Sequence, residues 1–271
     1  MNQNSRFHKA LIRLSLIASL FSGFGAEAAK RGDYSTWKVG DENSVIIDDL
    51  HPTQFRVGKA EVDDKRKEFD EMSEKKFAEY LEGHPCPVVI GPGGIPYITD
   101  EQHRANASEE AELRHHLLFR AMFEHGQPTM RMKVIENWSN LSQSEFEKRM
   151  KDSHYVYLLD RGVLRPFKDL PEHVSEMKND PYRSVAGFVQ DTAYRRTQTY
   201  FVQFVVAAWL RKHLGLDDDD VKDRLKNDRK KFLKKVSELL LSSEAASEPW
   251  YIGKEKCKTL ISTESAKKTK K

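Results

Sequence analysis

The chain has 271 residues, of which 38% are hydrophobic and 32% are charged. That apolar share can build the core of one large domain or two modest ones, and it excludes a membrane protein with many spans. The formal net charge is +3. A mildly basic chain suggests nucleic acid as a partner, so the place of this charge along the chain matters.

The N-terminal segment predicts an export signal. Arg6, Lys9 and Arg13 precede an apolar run of 12 residues, Leu14–Gly25, and Ala26–Ala28 offers the small residues that a signal peptidase reads. The run has the length of a signal-peptide core and is too short to cross a bilayer. We expect cleavage after residue 28, export to the periplasm or the medium, and no membrane span in the mature chain.

The positive charge lies at the two ends of the chain. Residues 1–28 carry +2, from three bases and one acid, and residues 254–271 carry +5, from seven lysines and two glutamates. The body between them, residues 29–253, therefore has a net charge of −4. Net charge does not predict a basic groove for duplex DNA, although a local basic patch is compatible with it.

The cysteines of the chain do not indicate a particular chemistry. Cys86 and Cys257 are the two cysteines of the chain, and both would remain after cleavage. Two thiols do not make a disulfide framework, and no Cys-x-x-Cys spacing indicates a zinc or redox site. Whether the two cysteines pair is left open by the sequence.

A polar lead-in over residues 29–44 is followed by alternating strand and helix patterns. The expected strands cover residues 44–48, 87–90, 95–99, 129–138 and 155–159. The expected helices cover residues 61–81, 109–125 and 142–150, the last of which opens with the capping box Ser142–Glu145. We expect residues 45–160 to form an α+β core.

Beyond Arg161 the strand patterns fade and helical patterns dominate. Short helices broken by Pro171 and Pro181 precede an apolar helix over 200–214 and one long helix over 217–241. We expect residues 161–241 to form a helical extension packed on the core. Residues 242–271 are expected to be a lysine-rich, mostly disordered tail, in which Trp250 could dock.

A glycine turn at residues 91–94 leads into the first candidate site. Asp100, His103 and Arg104 follow it closely, where a helix begins. Backbone N–H groups and an arginine can hold a phosphate there, and an aspartate or a histidine can move a proton. A hairpin turn followed by a solvated helix cap would give the same pattern.

Two further groups have both a functional and a structural interpretation. Glu61 and Lys65 stand four residues apart in the first helix, which fits the wall of a site or a surface ion pair. Arg183 could clamp an anion, while Asp180 before Pro181 could simply cap a helix.

An ordered series of motifs between residues 45 and 214 resembles the ParB-like nuclease family of the ParB/sulfiredoxin superfamily. The residues that carry the resemblance are Asp49–Gln54, Val57-Gly58, Glu61-Val62, Lys65, Pro87–Gly94, Asp180–Ser184 and Phe201–Arg211. The series as a whole is more specific than any of its pieces.

The resemblance implies a fold and a pocket. The fold would be a small mixed sheet with surrounding helices, followed by a mainly helical part, with a phosphate or nucleotide pocket after the glycine turn. Superfamily members include CTP-using DNA-partitioning proteins, sulfiredoxins and free-serine kinases. The cysteine motif of the sulfiredoxins is absent from this chain, which argues against sulfiredoxin activity.

The resemblance also implies site residues. Those expected to bind phosphate are Gln54, Lys65, Gly93, Gly94, Arg104 and Arg183. Those expected to act in catalysis are Glu61, Asp100, His103 and His116, with Asp100 and His116 as candidate ligands of Mg²⁺ or Mn²⁺. An insertion between Arg104 and His115 leaves open which histidine occupies the site.

The leading functional hypothesis is an exported nuclease that hydrolyses phosphodiester bonds, with nucleic acid or a nucleotide as its partner. The first alternative is a nucleotide-dependent phosphotransferase similar to the free-serine kinases. The second is a non-catalytic protein that binds nucleotide or nucleic acid. Export favours hydrolysis, because free nucleotides are scarce outside the cytoplasm.

Overall fold

The structure, a computed structural model, describes residues 32–99, 129–195 and 200–253. The described residues from Asp33 onward form one compact unit. Several predicted features lie outside the described residues: the signal peptide, the helix over 109–125, Asp100, His103, Arg104, His116 and Cys257. Within the described ranges, no helix combines the length and the apolar character that a membrane crossing requires.

A mixed sheet forms the centre of the fold, as the family resemblance predicts. The strands are β1 (Glu42–Ile46), β2 (His51–Pro52), β3 (Arg56–Val57), β4 (Cys86–Gly91), β5 (Ile95–Ile98), β6 (Thr129–Asn137), β7 (Leu159–Asp160), β8 (Val163–Leu164) and β9 (Lys178–Asn179). Five of them pair in the order β1-β6-β4-β5-β2. The β4–β6 and β5–β2 pairs are parallel, and the β1–β6 and β4–β5 pairs are antiparallel.

The helices surround this sheet and dominate the second half of the chain. They are α1 (Lys59–Asp70), α2 (Glu74–Gly83), α3 (Gln143–Asp152), α4 (Pro181–Val189), α5 (Val202–Leu214), α6 (Asp218–Asn227) and α7 (Arg229–Leu240). The capping box at Ser142 and Glu145 is confirmed. The architecture is therefore α+β, as expected.

Two expected helices are each divided in the structure. The helix expected over 61–81 is α1 followed by α2, because the Ser73 side chain accepts a hydrogen bond from the Lys76 N–H and starts a new helix. The helix expected over 217–241 is α6 followed by α7, which meet at Asp228 with a non-helical φ of −141°. The apolar period runs across both breaks, so periodicity alone predicts single helices.

The sheet has a hydrophobic cluster on each face. Val88 and Ile90 pack into one cluster and Val89 into the other, as the alternation of side chains along a strand requires. The fully buried Cys86 belongs to the first cluster, where its thiol lies 3.3 Å from the Sδ of Met130.

A third cluster lies among the C-terminal helices and includes Trp250, which is fully buried. Its ring meets that of Trp209 edge-on, with the centroids 5.5 Å apart. Residues 242–253 are thus folded, which corrects the disorder expected for this part of the tail, and residues 254–271 lie outside the described residues. A fully buried tryptophan side chain removes enough apolar surface from water to hold a short segment in place.

The end of β5 brings two loops together. β2 pairs with β5 so that Pro52 lies opposite Ile98, and the Thr53 hydroxyl donates a hydrogen bond of 2.8 Å to the Ile98 carbonyl. The chain therefore leaves β2 and β5 at the same end of the sheet. Gln54 follows directly on one side, and Thr99 is the last described residue on the other.

Candidate active site

The Asp180–Ser184 motif starts α4 and sets the position of Arg183. The Asp180 carboxylate accepts hydrogen bonds from the N–H groups of Tyr182 at 3.0 Å and Arg183 at 3.4 Å, and Pro181 occupies the first helical position. Both features favour a helix start. Arg183 thus lies in the first turn of α4, where it is 2% exposed.

The Arg183 guanidinium is packed against an aromatic ring and interacts electrostatically with the Glu61 carboxylate. Its central carbon lies 4.0 Å from the centroid of the Phe204 ring, a cation–π distance. Its Nε and Nη1 atoms are buried and have no hydrogen-bond partner among the described residues. Burial lowers the pKa of Arg183, while the negative charge of Glu61 raises it. The buried guanidinium therefore keeps unused donors.

The Glu61 carboxylate occupies space that two glycines leave open. A Cβ at Gly187 in α4 would lie 2.1 Å from its Oε2, and a Cβ at Gly58 would lie 2.7 Å from its Oε1. Glu61 is half-buried as a residue, yet its Oε1 is shielded from solvent. The interpretation of Glu61 as part of a surface ion pair is therefore wrong, because α4 covers its carboxylate.

The surroundings of Glu61 move its titration toward neutral pH. Burial raises the pKa of Glu61 to about 7; Arg183 opposes this shift and Asp64 adds to it. A group that titrates near the working pH can both take up and release a proton during a reaction. Such shifted groups also concentrate at functional sites.

Tyr157 completes the surroundings of the pair. Its ring stacks on that of Phe204 with the centroids 4.1 Å apart. Burial raises the pKa of Tyr157, and Arg183 lowers it. The Tyr157 N–H donates to the Thr53 carbonyl at 2.9 Å, and a β-bridge joins Tyr157 to Gln54. The loop that follows β2 is thereby connected to the Arg183 site.

A cavity of about 210 Å³ lies against the same rings. Its lining includes Tyr157, Phe204 and three arginines, Arg56, Arg161 and Arg211. Burial lowers the pKa of Arg161, and repulsion by Arg56 and Arg211 adds to this effect.

Aspartates hold the arginines of this cavity in place. Arg211 bridges Asp180 and Asp218 at 2.6 Å each, and Arg161 also pairs with Asp218. Arg56 pairs with Asp160. The cavity wall is thus basic and braced by ion pairs, next to the two rings that border Arg183.

Three of the predicted site residues come together in the structure, and three lie elsewhere. Glu61 and Arg183 form the centre, and Gln54, whose side-chain amide donates to the Arg56 carbonyl at 2.8 Å, lies beside Tyr157. Lys65 pairs with Glu68 at 2.6 Å and lies over the rings of Phe69 and Tyr80 at 5.7 Å each.

Gly93 and Gly94 lie at the opposite end of the β4–β5 hairpin from Thr99. Four residues of β5 separate the two ends, about 13 Å of extended chain. A Cβ at Gly94, where φ is +72°, would lie 2.0 Å from the Asp33 Oδ1, and the Tyr34 N–H donates to the Gly94 carbonyl at 3.0 Å. The lead-in segment thus explains the close approach at Gly94, and phosphate binding at this turn stays a prediction.

Tyr157, Phe204 and Gly187 are not among the site residues predicted from the sequence. Phe204 lies in the aromatic helix segment that the resemblance quotes, so a signal existed for it. Tyr157 has only a strand-like context, and Gly187 is a glycine inside a helix, which often marks close packing.

Among the residues that the structure describes, no group of three or more histidine, cysteine, aspartate or glutamate side chains is arranged to hold a metal ion. The candidate ligands Asp100 and His116 lie outside that part of the chain. The Mg²⁺ or Mn²⁺ site therefore stays a prediction.

Comparison with known proteins supports the resemblance independently. A family model described as "Putative ParB-like nuclease" matches residues 43–212. The crystal structure of protein Atu1540 from Agrobacterium tumefaciens is similar, with a TM-score of 0.64 and 28% sequence identity over 79% of this chain and 98% of that chain. A comparison with curated proteins gave no match. The match covers more than half of the residues and includes Gln54, Glu61, Arg183 and Phe204, so the chain belongs to the ParB-like nuclease family.

Proposed function

We propose that the protein hydrolyses phosphodiester bonds of nucleic acid at the Glu61–Arg183 pair. The observation that carries this proposal is the pair itself: a carboxyl group with a pKa of about 7 beside a buried guanidinium that keeps unused donors. An arginine in such a site binds phosphate and stabilises negative charge in the transition state. The family match supports a phosphodiester as the bond that is cleaved.

The proposed step uses Glu61 as a general base. Glu61 takes a proton from a water molecule while the water oxygen forms a bond to phosphorus. The bond between phosphorus and the leaving oxygen breaks, and that oxygen takes its proton from solvent. Arg183 holds a non-bridging oxygen through its Nε–H or Nη1–H. The Phe204 ring lies between the Arg183 guanidinium and the Tyr157 ring, and this packing holds Arg183 in position for that contact.

We expect the full chain to cleave plasmid or single-stranded DNA in the presence of Mg²⁺ or Mn²⁺, and Arg183→Lys to slow cleavage about 100-fold or more. Lysine keeps the charge and loses the fork of donors. The measurement is the initial rate on gels, with Lys234→Ala, an exposed lysine of α7, as the control.

Circular dichroism would show whether the Arg183→Lys variant is folded, and Glu61→Gln gives a second test if it is not. Absence of cleavage by the wild type, or wild-type rates in both variants, would contradict the proposal. Stabilisation against heat by ATP, ADP or CTP without any cleavage would favour the phosphotransferase instead.

We also propose that the protein is exported, on the strength of its basic, apolar and small-residue N-terminal segments. When the full chain is expressed in a bacterium, the periplasmic or secreted protein should begin at Ala29. Leu16→Arg interrupts the apolar run and should keep the protein uncleaved in the cytoplasm. Intact-mass measurement of both forms checks this, and a cytoplasmic wild-type protein that retains residues 1–28 would exclude it.

A further inference from the structure

A second and larger cavity, of about 480 Å³, lies between α1, the start of α4, α6 and the start of α7. We call it the basic cleft, because five cationic side chains line it: Lys59, Lys67, Lys222, Lys226 and Arg229. Two acidic side chains, Asp63 and Asp64, also line it. The lining therefore carries a net charge of +3, although residues 29–253 as a whole carry −4.

The ion pairs of the basic cleft do not use up this charge. Asp63 pairs with Lys59 at 4.0 Å, and Asp64 pairs with Arg229 and, at 3.8 Å, with Lys67. Lys222 pairs at 2.8 Å with Asp219, which is outside the lining and lowers the excess positive charge to +2. Lys226 makes no ion pair with a described residue. A cleft with excess charge of one sign attracts and concentrates ligands of the opposite sign.

The lining indicates which anion fits. Sites for small molecules are lined mainly by apolar and aromatic side chains. The described lining of the basic cleft contains no aromatic side chain on which the base of a mononucleotide could stack, and lysines make up a third of it. Lys222 and Lys226 stand one helical turn apart on α6, about 6 Å, so they can meet neighbouring phosphates of a strand.

We propose that the basic cleft binds the sugar–phosphate backbone of a nucleic-acid strand. Ser184 lines the cleft and follows Arg183 directly in α4, so a strand held there passes close to the Glu61–Arg183 pair. The proposal rests on the proposed function for the identity of its ligand. It assigns substrate docking to α1, α6 and α7, apart from the residues that carry out the reaction.

The test is fluorescence anisotropy with a fluorescein-labelled DNA oligonucleotide of about 20 nucleotides, in EDTA, with gels to show that the DNA stays intact. We expect Lys222→Ala/Lys226→Ala to weaken binding roughly tenfold and to lower the slope of log K against log salt by about two. The matched control, Lys231→Ala/Lys234→Ala, removes two exposed lysines of α7 outside the cleft. The lysine tail is present in every variant, so its contribution cancels.

Equal affinity and salt slope in the cleft variant and the control would overturn the docking proposal. Displacement of the oligonucleotide by ATP at concentrations near those of the DNA would also overturn it, in favour of a nucleotide site. If the cleft variant binds and cleaves DNA like the wild type, the docking proposal is wrong and the proposed hydrolysis is unaffected. If binding depends on the cleft but the wild type does not cleave DNA, the docking proposal is supported and the proposed hydrolysis is wrong.

Discussion

Glu61→Gln is expected to make the protein more stable above neutral pH and to remove a pH dependence of its stability. The folded-state pKa of about 7 lies above the ordinary glutamate pKa of 4.5, so the folded protein holds the Glu61 proton more tightly than the unfolded chain. The contribution of Glu61 to the free energy of unfolding is therefore fully present below about pH 4.5 and is lost as the pH rises through about 7. The loss is on the order of 3 kcal/mol.

The glutamine amide mimics the protonated carboxyl group, so the variant should keep this stability at high pH. Urea unfolding at several pH values measures the difference in the free energy of unfolding between the variant and the wild type. At high pH this difference corresponds to roughly 10 °C in Tm. Glu71→Gln, at the exposed end of α1, is the control and should follow the wild type. If the stability of the wild type and that of Glu61→Gln depend on pH in the same way, burial does not raise the pKa of Glu61.

Gly187→Ala is expected to damage both stability and activity, although glycine-to-alanine changes inside open helices stabilise by up to about 1 kcal/mol. The new Cβ would lie 2.1 Å from the Glu61 Oε2, so the carboxylate must move. Overpacking of this kind costs about 1–3 kcal/mol. A displaced base should slow DNA cleavage by about 100-fold. Urea unfolding and initial cleavage rates measure the two effects.

Gly83→Ala is the matched control, since Gly83 ends α2 and a Cβ there would meet nothing within 4 Å. It should leave stability unchanged or slightly raised. A Glu61→Ala background should remove the stability penalty of Gly187→Ala, because the clashing group is then absent. If Gly187→Ala proved as stable and active as Gly83→Ala, the described contact between α4 and Glu61 would be wrong.

The local elements of this fold could be read from the sequence because their signals are local. The Ser142 capping box, the glycine hairpin and Pro181 at the start of α4 each depend on a few neighbouring residues. The order of the strands in the sheet depends on pairing over long distances in the chain. The family resemblance implied a mixed sheet, but neither it nor the residue patterns predicted the order β1-β6-β4-β5-β2.

The environment of Glu61 could not be read from the sequence for the same physical reason. Its spacing from Lys65 is that of an ordinary surface pair, and the glycine that makes room for its carboxylate is Gly187, far away in the chain. The sequence makes Arg183 a candidate anion ligand, but its packing on Phe204 depends on how α4 and α5 meet. Burial, which raises the pKa of Glu61, is a property of the folded packing alone.

The site and the basic cleft share α1 and α4. Glu61 and Lys59 lie in the first turn of α1, and Arg183 and Ser184 lie in the first turn of α4. The Ala60 N–H donates to the Ser184 hydroxyl at 3.1 Å, which joins the two helix starts. A displacement of either helix would therefore alter the proposed chemistry and the proposed docking surface together.

The most direct test of Glu61 as the base is the pH dependence of kcat/KM for DNA cleavage between about pH 5 and pH 9. A general base acts in its deprotonated form, so the wild-type rate should rise with pH and level off, with a midpoint near the Glu61 pKa of about 7. Glu61→Gln should lack this rise and cleave more slowly at every pH, while Glu71→Gln should keep it. A flat wild-type profile, or a rise that survives in Glu61→Gln, would contradict the account.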